Sequence, residues 1–342
     1  MPSLRELARS LGLSHTTVSE ALRDSPRVKA ATRRRVLRAA QAVGYRANPL
    51  AGALMSEMRR ARSGTFRGVL ALVDVDETEL RPVVATRFHH ELAAGAAARA
   101  TELGFQTELF ALKRRGVTLE RLDGILQSRG IRGILLLPLL ATRDLSGLDW
   151  SRYAAIYADY VLERPALHTV CSDHYRAMAG LLPRLAERGY RRPGLVLHDE
   201  HDRRVLYRWQ AAFHTFLEQD GASPAPALVR PDLRQDEFTA WFNRTRPDVV
   251  LSHRPEVLDW MEAAGAAVPG THGFCCLNLL ATTRACAGLD LQPALIGARG
   301  MELLIGQMLR NEYGLPTVPS TTMIPAAWTD GATLRQPQPA RG

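Results

Sequence analysis

The chain has 342 residues, of which 46% are hydrophobic, 23% charged and 6% aromatic, a composition typical of a soluble globular protein with two or three domains. The sequence has no apolar run long enough to span a bilayer and no apolar signal segment near Met1, so we expect a cytoplasmic protein without a membrane partner. Residues 1–62 carry thirteen Arg or Lys and only four acids, which accounts for the whole net charge of +9. This asymmetry favours a polyanion as the partner of the first segment.

The first residues predict a helix-turn-helix. Ser3 begins a capping-box pattern, leucines follow at helical spacing, and Gly12 ends that helix. Ser14 is expected to cap a second helix over residues 15–23, the element that would enter a major groove. A third helix is expected over residues 30–43. Its inward-facing residues are predicted to be Val36, Leu37, Ala40 and Val43.

Two longer runs carry a resemblance to a known family. They are LxELAxxLGLSxTTVSxALR at residues 4–23 and VxxATRxRVxxAAxxVGYxxNPLAxxL at residues 28–54. Together they resemble the headpiece of the lactose-repressor (LacI) family of bacterial transcription regulators, and a receptor-sized remainder extends the resemblance over nearly the whole chain. The resemblance implies a helix-turn-helix headpiece at 1–46, a hinge helix and linker at 47–66, an effector-binding and dimerisation core at 67–330 and a flexible tail at 331–342.

The resemblance also implies which side chains contact DNA. Short polar groups on the second helix would reach base edges or phosphates, and flanking groups would contact the backbone. The alternative is that the hydroxyls only cap helices and line a surface; for Ser14, capping is the main expected role. The candidates are Ser3, Ser14, His15, Thr16, Thr17, Ser19, Glu20, Arg23, Thr32, Tyr45, Asn48, Ala51 and Leu54.

Two headpiece residues depart from the family pattern. Glu20 stands where most of the family has an arginine, and a glutamate accepts a hydrogen bond from cytosine N4 but cannot pair with guanine acceptors. The operator is therefore expected to differ from the commonest family sequence, unless Glu20 turns away from the bases. Lys29 stands where a serine usually caps the third helix, which predicts a weaker cap.

Residues 48–54 match the family's hinge helix, which orders on DNA and inserts a leucine into the minor groove. By position Leu54 is that inserted leucine, and Ala51 is the small neighbouring residue that allows the close approach. Gly52 lowers helix propensity by roughly 1 kcal/mol relative to alanine. We therefore expect the free hinge to be disordered and to fold when two hinges meet on DNA. A plain linker helix is the alternative.

From Arg67 onward, apolar strands alternate with helices, which predicts parallel sheets covered on both faces. The resemblance implies an α/β periplasmic-binding-protein-like core of two parallel-sheet subdomains. The chain is expected to cross between the halves near residues 161–169, 290–296 and 316–319. A helix over 298–310 should return to the first half, and a final strand over 322–328 should join the second. The predicted strand segments are GVLALVDV, QTELFAL, GILLLPL, YAAIYAD, GLVLHDE, ALVRP, DVVLS and GFCCLNL.

A small-molecule effector is expected between the halves, because ligands of open α/β sheets bind at the carboxyl ends of the strands. Relatives usually have Asn-Asp where this chain has Ser252-His253, and an aspartate where it has Cys275. Both carboxylates that usually hold sugar hydroxyls are thus missing. This argues against a pentose or hexose as the effector and favours another kind of ligand, or no ligand. Each of three candidates has an alternative to contact with an effector. Phe88 is equally compatible with a place in the core, Arg208 could pair with an acid on its own surface, and His253 could have a structural role. The contact candidates are Phe88, Asp173, Arg208, His253 and Phe274.

No catalytic or metal-binding pattern is evident. His198 and His201 lie three apart in a predicted strand-end loop without a third ligand, the four cysteines show no CxxC spacing, and no GxSxG or phosphate loop is present. We therefore expect no enzyme activity, metal or cofactor. A solute-binding transport protein and a nucleoid architectural protein are the alternatives. The favoured interpretation is a homodimeric repressor that binds a palindromic double-stranded DNA operator and responds to a small molecule.

Overall fold

The chain divides into two units, Met1–Thr65 and Phe66–Gly342. The structure is a computed structural model. It describes residues 8, 10–22, 28–42, 66–76, 81–112, 118–140, 143–160, 162, 164–219 and 225–337.

The first unit contains α1 (His15–Leu22) and α2 (Ala30–Ala42). Gly12 precedes α1 with a φ of 63°, a left-handed conformation that glycine adopts without steric cost. Arg35 donates from Nη2 to the carbonyl oxygen of Leu11 at 3.1 Å, which ties α2 to the helical residues before the turn. The core of this unit is small, as expected for so short a segment. Its buried residues are Ala8, Val18, Ala21, Val28, Val36 and Ala40.

One predicted core residue of the headpiece lies on the surface. Leu37 is 45% exposed, whereas Val36 and Ala40 are buried. Residues four apart share a helix face, and Leu37 is rotated by about 100° from Val36. The apolar face of α2 is thus narrower than the sequence pattern indicated.

The second unit begins with a six-stranded sheet that we call the first lobe. Its strand order is β11-β5-β4-β3-β1-β2, and all its pairs are parallel. The strands are β1 (Gly68–Asp74), β2 (Phe105–Ala111), β3 (Gly133–Leu136), β4 (Ala154–Tyr157), β5 (His168–Ser172) and β11 (Thr321–Ile324). Its helices are α3 (Val83–Glu102), α4 (Leu119–Ser128) and α10 (Pro293–Leu309). Helices α3 and α10 cover one face of the sheet and α4 covers the other.

The second lobe is built on a similar sheet with the order β12-β10-β9-β8-β6-β7, in which only β12 is antiparallel. The strands are β6 (Pro193–His198), β7 (Leu228–Arg230), β8 (Val249–Ser252), β9 (Gly273–Cys276), β10 (Ala287–Asp290) and β12 (Ala327–Thr329). The helices are α5 (His174–Glu187), α6 (Asp199–Arg204), α7 (Arg208–Gln219), α8 (Gln235–Thr245) and α9 (Glu256–Ala263). Helices α5 and α7 pack on one face, and α8 and α9 on the other. Two mostly parallel sheets with covering helices confirm the predicted fold class.

The chain crosses between the lobes after β5, after β10 and after β11. The crossing predicted at 290–296 is confirmed, and the return of α10 to the first lobe is also confirmed. The other two positions were wrong. Segment 168–172 is a strand of the first lobe, so the first crossing follows it. The final strand is two strands, one in each sheet, because Pro325 between them has no N–H to continue a ladder.

The C-terminal segment begins differently from the prediction. Residues 331–337 were assigned to a flexible tail, yet Thr333 and Leu334 are buried in the second lobe. The Thr333 hydroxyl accepts from the Ala287 N–H at 2.9 Å and donates to the Phe274 carbonyl at 2.8 Å. These bonds fix the segment against β9 and β10. The last five residues lie outside the described part of the chain.

Helices α3 and α10 approach each other at two glycines. A Cβ atom on Gly95 would lie 2.0 Å from the Ala294 carbonyl oxygen, and one on Gly297 would lie 2.0 Å from that of Leu92. Such distances leave no space for any side chain, and the neighbouring atoms are backbone that cannot rotate away. The two glycines therefore set the separation of the helices over the first lobe.

We expect Gly297→Ala to lower the free energy of unfolding of the full chain by about 1–3 kcal/mol or more, because its methyl group overlaps the backbone of α3. Gly124→Ala in α4 is the matched control. No atom lies within 4 Å of the added methyl there, and alanine favours a helix over glycine, so we expect no loss of stability. Urea unfolding measures both, and equal effects would contradict the close contact.

Candidate nucleic-acid interface and ligand cleft

The start of α1 is held by its own side chains. Ser14 Oγ accepts from the Thr17 N–H at 3.0 Å and lies 2.8 Å from Thr17 Oγ1. A serine oxygen that binds the N3 amide is an N-cap. The expected capping role of Ser14 is therefore confirmed, and the hydroxyl of Thr17 is engaged in the same network.

The other headpiece candidates fall into three groups. Glu20 and Thr32 are partly exposed on α1 and α2, so neither side chain is needed in the core. His15, Thr16 and Ser19 lie on α1 itself. Six candidates lie outside the described residues, as does most of the predicted hinge at 47–66. These six are Ser3, Arg23, Tyr45, Asn48, Ala51 and Leu54.

The surface of α2 is strongly basic. Its sequence AATRRRVLRAAQA contains four arginines and no acid. Arg34, Arg35 and Arg38 are exposed and Arg33 is partly exposed. A helix with this charge next to a partly exposed α1 is suited to a phosphate backbone.

In the second unit, polar residues gather at the carboxyl ends of both sheets, where parallel strands present their ligand-binding edge. In the first lobe, Asp74 accepts from Arg81 Nη2 at 2.7 Å and from Nη1 at 3.0 Å, and both residues are buried. Asp76 is also buried and lies 2.8 Å from Arg143 Nε. Buried charges in proteins are normally paired in this way.

His89 on α3 faces the same pair, with its Nδ1 3.9 Å from Asp74 Oδ2. Burial, followed by the positive charge of Arg81, lowers the pKa of His89 to about 4, although Asp74 opposes the shift. The ring is therefore neutral at pH 7.

An ion pair connects the two lobes. The Oδ2 atom of Asp159, two residues after β4 in the first lobe, lies 3.2 Å from Arg204 Nη2 at the end of α6 in the second. Burial raises the pKa of Asp159, while Arg204 opposes that rise. The helix α6 that carries Arg204 covers residues expected to form a loop after His198. That prediction was wrong, because the polar sequence concealed a short helix with its acids in the first turn.

Aromatic and imidazole rings form two groups of contacts near the ends of the strands. The rings of His201 and His253 stack at 4.2 Å, and His174 meets Trp209 edge-on at 4.7 Å. The Tyr160 hydroxyl donates to the Ser172 carbonyl and is hydrogen-bonded to His174 Nδ1. Burial lowers the pKa of both His174 and His201 to about 3, and it lowers that of His253 well below its ordinary value.

The structure places the five effector candidates differently. Phe88 packs against the cores of both lobes. Asp173 caps α5 by accepting from the Arg176 N–H at 3.1 Å. Arg208 begins α7 with its Cζ 5.3 Å from the Tyr160 ring centroid, and His253 follows β8. Phe274 is a correction: it is 1% exposed in the middle of the second-lobe core, because every residue of β9 is covered on its face of the sheet.

Several cleft residues were missed by the sequence analysis. Asp159 is the last residue of a predicted strand segment, and ligands of parallel sheets bind at the carboxyl ends of strands. Asp159 could therefore have been selected from the sequence. Arg204 had no such sequence signal, because its partner Asp159 lies 45 residues away in the sequence. Arg81 lies seven residues after its partner Asp74, but no sequence pattern selected it. Within the described residues no group of three or more His, Cys, Asp or Glu is arranged to hold a metal ion, and no helix is long and apolar enough to cross a bilayer.

Comparison with known proteins identifies the first unit. Residues 3–48 match the family described as bacterial regulatory proteins, lacI family. The chain is 32% identical over 194 residues to the HTH-type transcriptional regulator CelR of Thermobifida fusca, covering 56% of this chain and 54% of that protein. It is 27% identical over 202 residues to the sucrose operon repressor of Escherichia coli, with the same coverage. Over residues 3–48 the chain is therefore similar to the lacI family. The chain spans about half the length of the curated relatives it matches.

Solved structures of lacI-family regulators share the fold. A transcriptional regulator CelR–cellobiose complex has a TM-score of 0.60 at 22% identity, covering 97% of this chain and 100% of that one. The lac repressor dimer bound to operator and the anti-inducer ONPF has a TM-score of 0.58 at 16% identity, covering 98% and 99%. At these identities the likeness establishes the architecture of a headpiece followed by a two-lobed core.

We expect Asp159→Asn to shift the second unit towards a more open cleft, because the substitution removes the carboxylate that pairs with Arg204 across the lobes. The pair is partly exposed, so the change in stability should stay within about 1 kcal/mol. Small-angle X-ray scattering should detect an increase in the radius of gyration. Glu312→Gln, which breaks the exposed Arg310 pair within one lobe, should leave the radius unchanged; the same radius for all three proteins would refute the cross-lobe role.

Proposed function

We propose that this chain is a sequence-specific transcription regulator of the lacI family, which represses by binding a palindromic operator as a homodimer. The observation that carries the proposal is a helix-turn-helix whose α1 keeps Glu20 partly exposed beside the basic α2. The two-lobed core supplies the unit that would receive a small-molecule effector between its lobes. Residues 1–46 would bind the major groove, and residues 47–66 would form the hinge with Leu54 as its wedge.

An exposed sheet edge supports the dimer. Strand β2 lies at the end of the first-lobe sheet, and its Leu109 is 56% exposed. Phe66, just before β1, is also largely exposed. Open edges with apolar side chains are usually covered in native proteins. A second copy related by a two-fold axis would cover this edge and would present two headpieces to a symmetric DNA site.

Selection of bound duplexes from a random pool tests the proposal. A regulator should enrich one palindrome and bind it about 10³-fold or more tightly than scrambled DNA at physiological salt. An architectural DNA-bending protein would bind both sequences alike, so equal affinity would reject the proposal. Analytical ultracentrifugation of the free protein provides the oligomeric state.

We expect Glu20→Arg to change the base preference at one symmetric position of the selected operator, because arginine donates to guanine O6 and N7 whereas glutamate accepts from cytosine. The control is Glu187→Arg on α5. It makes the same change in net charge at an exposed position of the second unit and should leave the motif unchanged. An unaltered motif in Glu20→Arg would show that residue 20 does not contact bases.

A further inference from the structure

We propose that the effector of the cleft is a small hydroxylated carboxylic acid, whose carboxylate pairs with Arg208 and whose hydroxyl groups bond to His253. This inference rests on the proposed function of the chain as an effector-responsive regulator. It specifies a ligand class distinct from the neutral sugars named for structural neighbours.

The acids at the first-lobe edge of the cleft all have arginine partners. Asp74 pairs with Arg81, and Asp159 pairs with Arg204. Asp76 and Asp173 lie 2.8 and 3.6 Å from the nearest nitrogen of their arginines. The positive and negative charges of these pairs cancel, so they neither attract nor repel a charged ligand strongly.

Arg208 differs from the other arginines of the cleft. It has no carboxylate within ion-pair distance among the residues that the structure describes. Its Nε is buried and lacks a hydrogen-bond acceptor there, while its Cζ lies 5.3 Å from the centroid of Tyr160. A guanidinium presents parallel N–H groups that fit a carboxylate in bidentate fashion. The unmatched charge therefore favours an anionic ligand.

The surroundings of Arg208 favour a carboxylate over a phosphate. Phosphates usually bind the free amides of a helix N-terminus. At the start of α7 that position is occupied by Asp202, a fully buried acid that accepts from Gln210 Nε2 at 2.6 Å. Burial raises the pKa of Asp202, while the side chain of Gln210 and, to a smaller extent, the amides of Trp209 and Gln210 oppose the rise. A phosphate would meet this carboxylate at the helix start.

His253 supplies the second recognition element. Its Nδ1 is buried without a hydrogen-bond partner among the described residues, and its ring is held by the stack with His201. Because burial keeps the pKa values of these two imidazoles low, each neutral ring has one donor and one acceptor nitrogen. A hydroxyl group can satisfy either nitrogen, whereas an apolar ligand would leave Nδ1 unsatisfied.

The test is isothermal titration calorimetry of the full chain at pH 7 with matched pairs of ligands. The acids are D-glucuronate, D-galacturonate and D-gluconate, and their neutral counterparts are D-glucose, D-galactose and D-sorbitol. D-Glucose 6-phosphate is the phosphate probe. We expect at least one acid to bind ten-fold or more tightly than its neutral counterpart and more tightly than the phosphate.

Arg208→Met should weaken binding of that acid by about 10- to 100-fold, the usual effect of losing a hydrogen bond to a charged group. Arg203→Met removes the same charge from the neighbouring helix, where the side chain is exposed, and should leave the affinity unchanged. Thermal unfolding of both variants verifies the fold, and Arg208→Lys should retain part of the binding.

Equal affinity for acid and neutral members, preference for the phosphate, or binding by no acid of the set would overturn the inference. So would equal losses in Arg208→Met and Arg203→Met. DNA selection on the ligand-free protein separates this failure from failure of the proposed function. A protein that enriches one palindrome but binds no acid refutes only the ligand class, whereas one that binds an acid but lacks DNA preference refutes only the regulator.

Discussion

The contact between α3 and α10 is the constraint on which the architecture of the second unit depends. Helix α10 follows β10 of the second lobe, yet it packs on the first-lobe sheet against α3, where Gly95 and Gly297 permit contact between backbones. This return forces the chain to cross between the lobes again after β11. Three crossings join the two sheets at one side, so the carboxyl ends of their strands can face each other while the lobes move about the crossing segments.

The cleft that results is nearly neutral in charge but not uniformly so. Its first-lobe acids are neutralised by arginines, and its buried histidines are uncharged because burial disfavours their protonated forms. Against this background the guanidinium of Arg208 has a large influence, since no carboxylate among the described residues cancels its field locally. The replacement of strand-end carboxylates by His253 and Cys275 is consistent with the same change in ligand charge.

The sequence predicted those strands that consist of continuous apolar runs, because such runs are typical of strands buried on both faces of a parallel sheet. It failed for β5, whose sequence HTVCS mixes polar and apolar residues, and hence for the first crossing. Arg208 and His253 were selected by their positions in the family resemblance, and their contact with an effector stays a prediction. The partner of Asp159 was not predicted, since an ion pair between lobes depends on tertiary contacts. The partner of Asp74 is Arg81, seven residues later in the same lobe, and no sequence pattern selected it. The prediction that Phe274 contacts the effector was wrong. Its strand is buried on both faces, so the sequence pattern does not show which residues face a ligand.

The energies in the cleft are of a size that permits control by a ligand. The Asp159–Arg204 pair is partly exposed and contributes at most about 1 kcal/mol to holding the lobes together. A charge-assisted bond between Arg208 and a bound carboxylate would contribute roughly 1.5–3 kcal/mol, which falls in the usual range of coupling between sites. A ligand that used this bond in only one arrangement of the lobes would therefore outweigh the ion pair and set their equilibrium. A ligand that bound both arrangements equally would change nothing, so control depends on how the lobe motion alters access to Arg208.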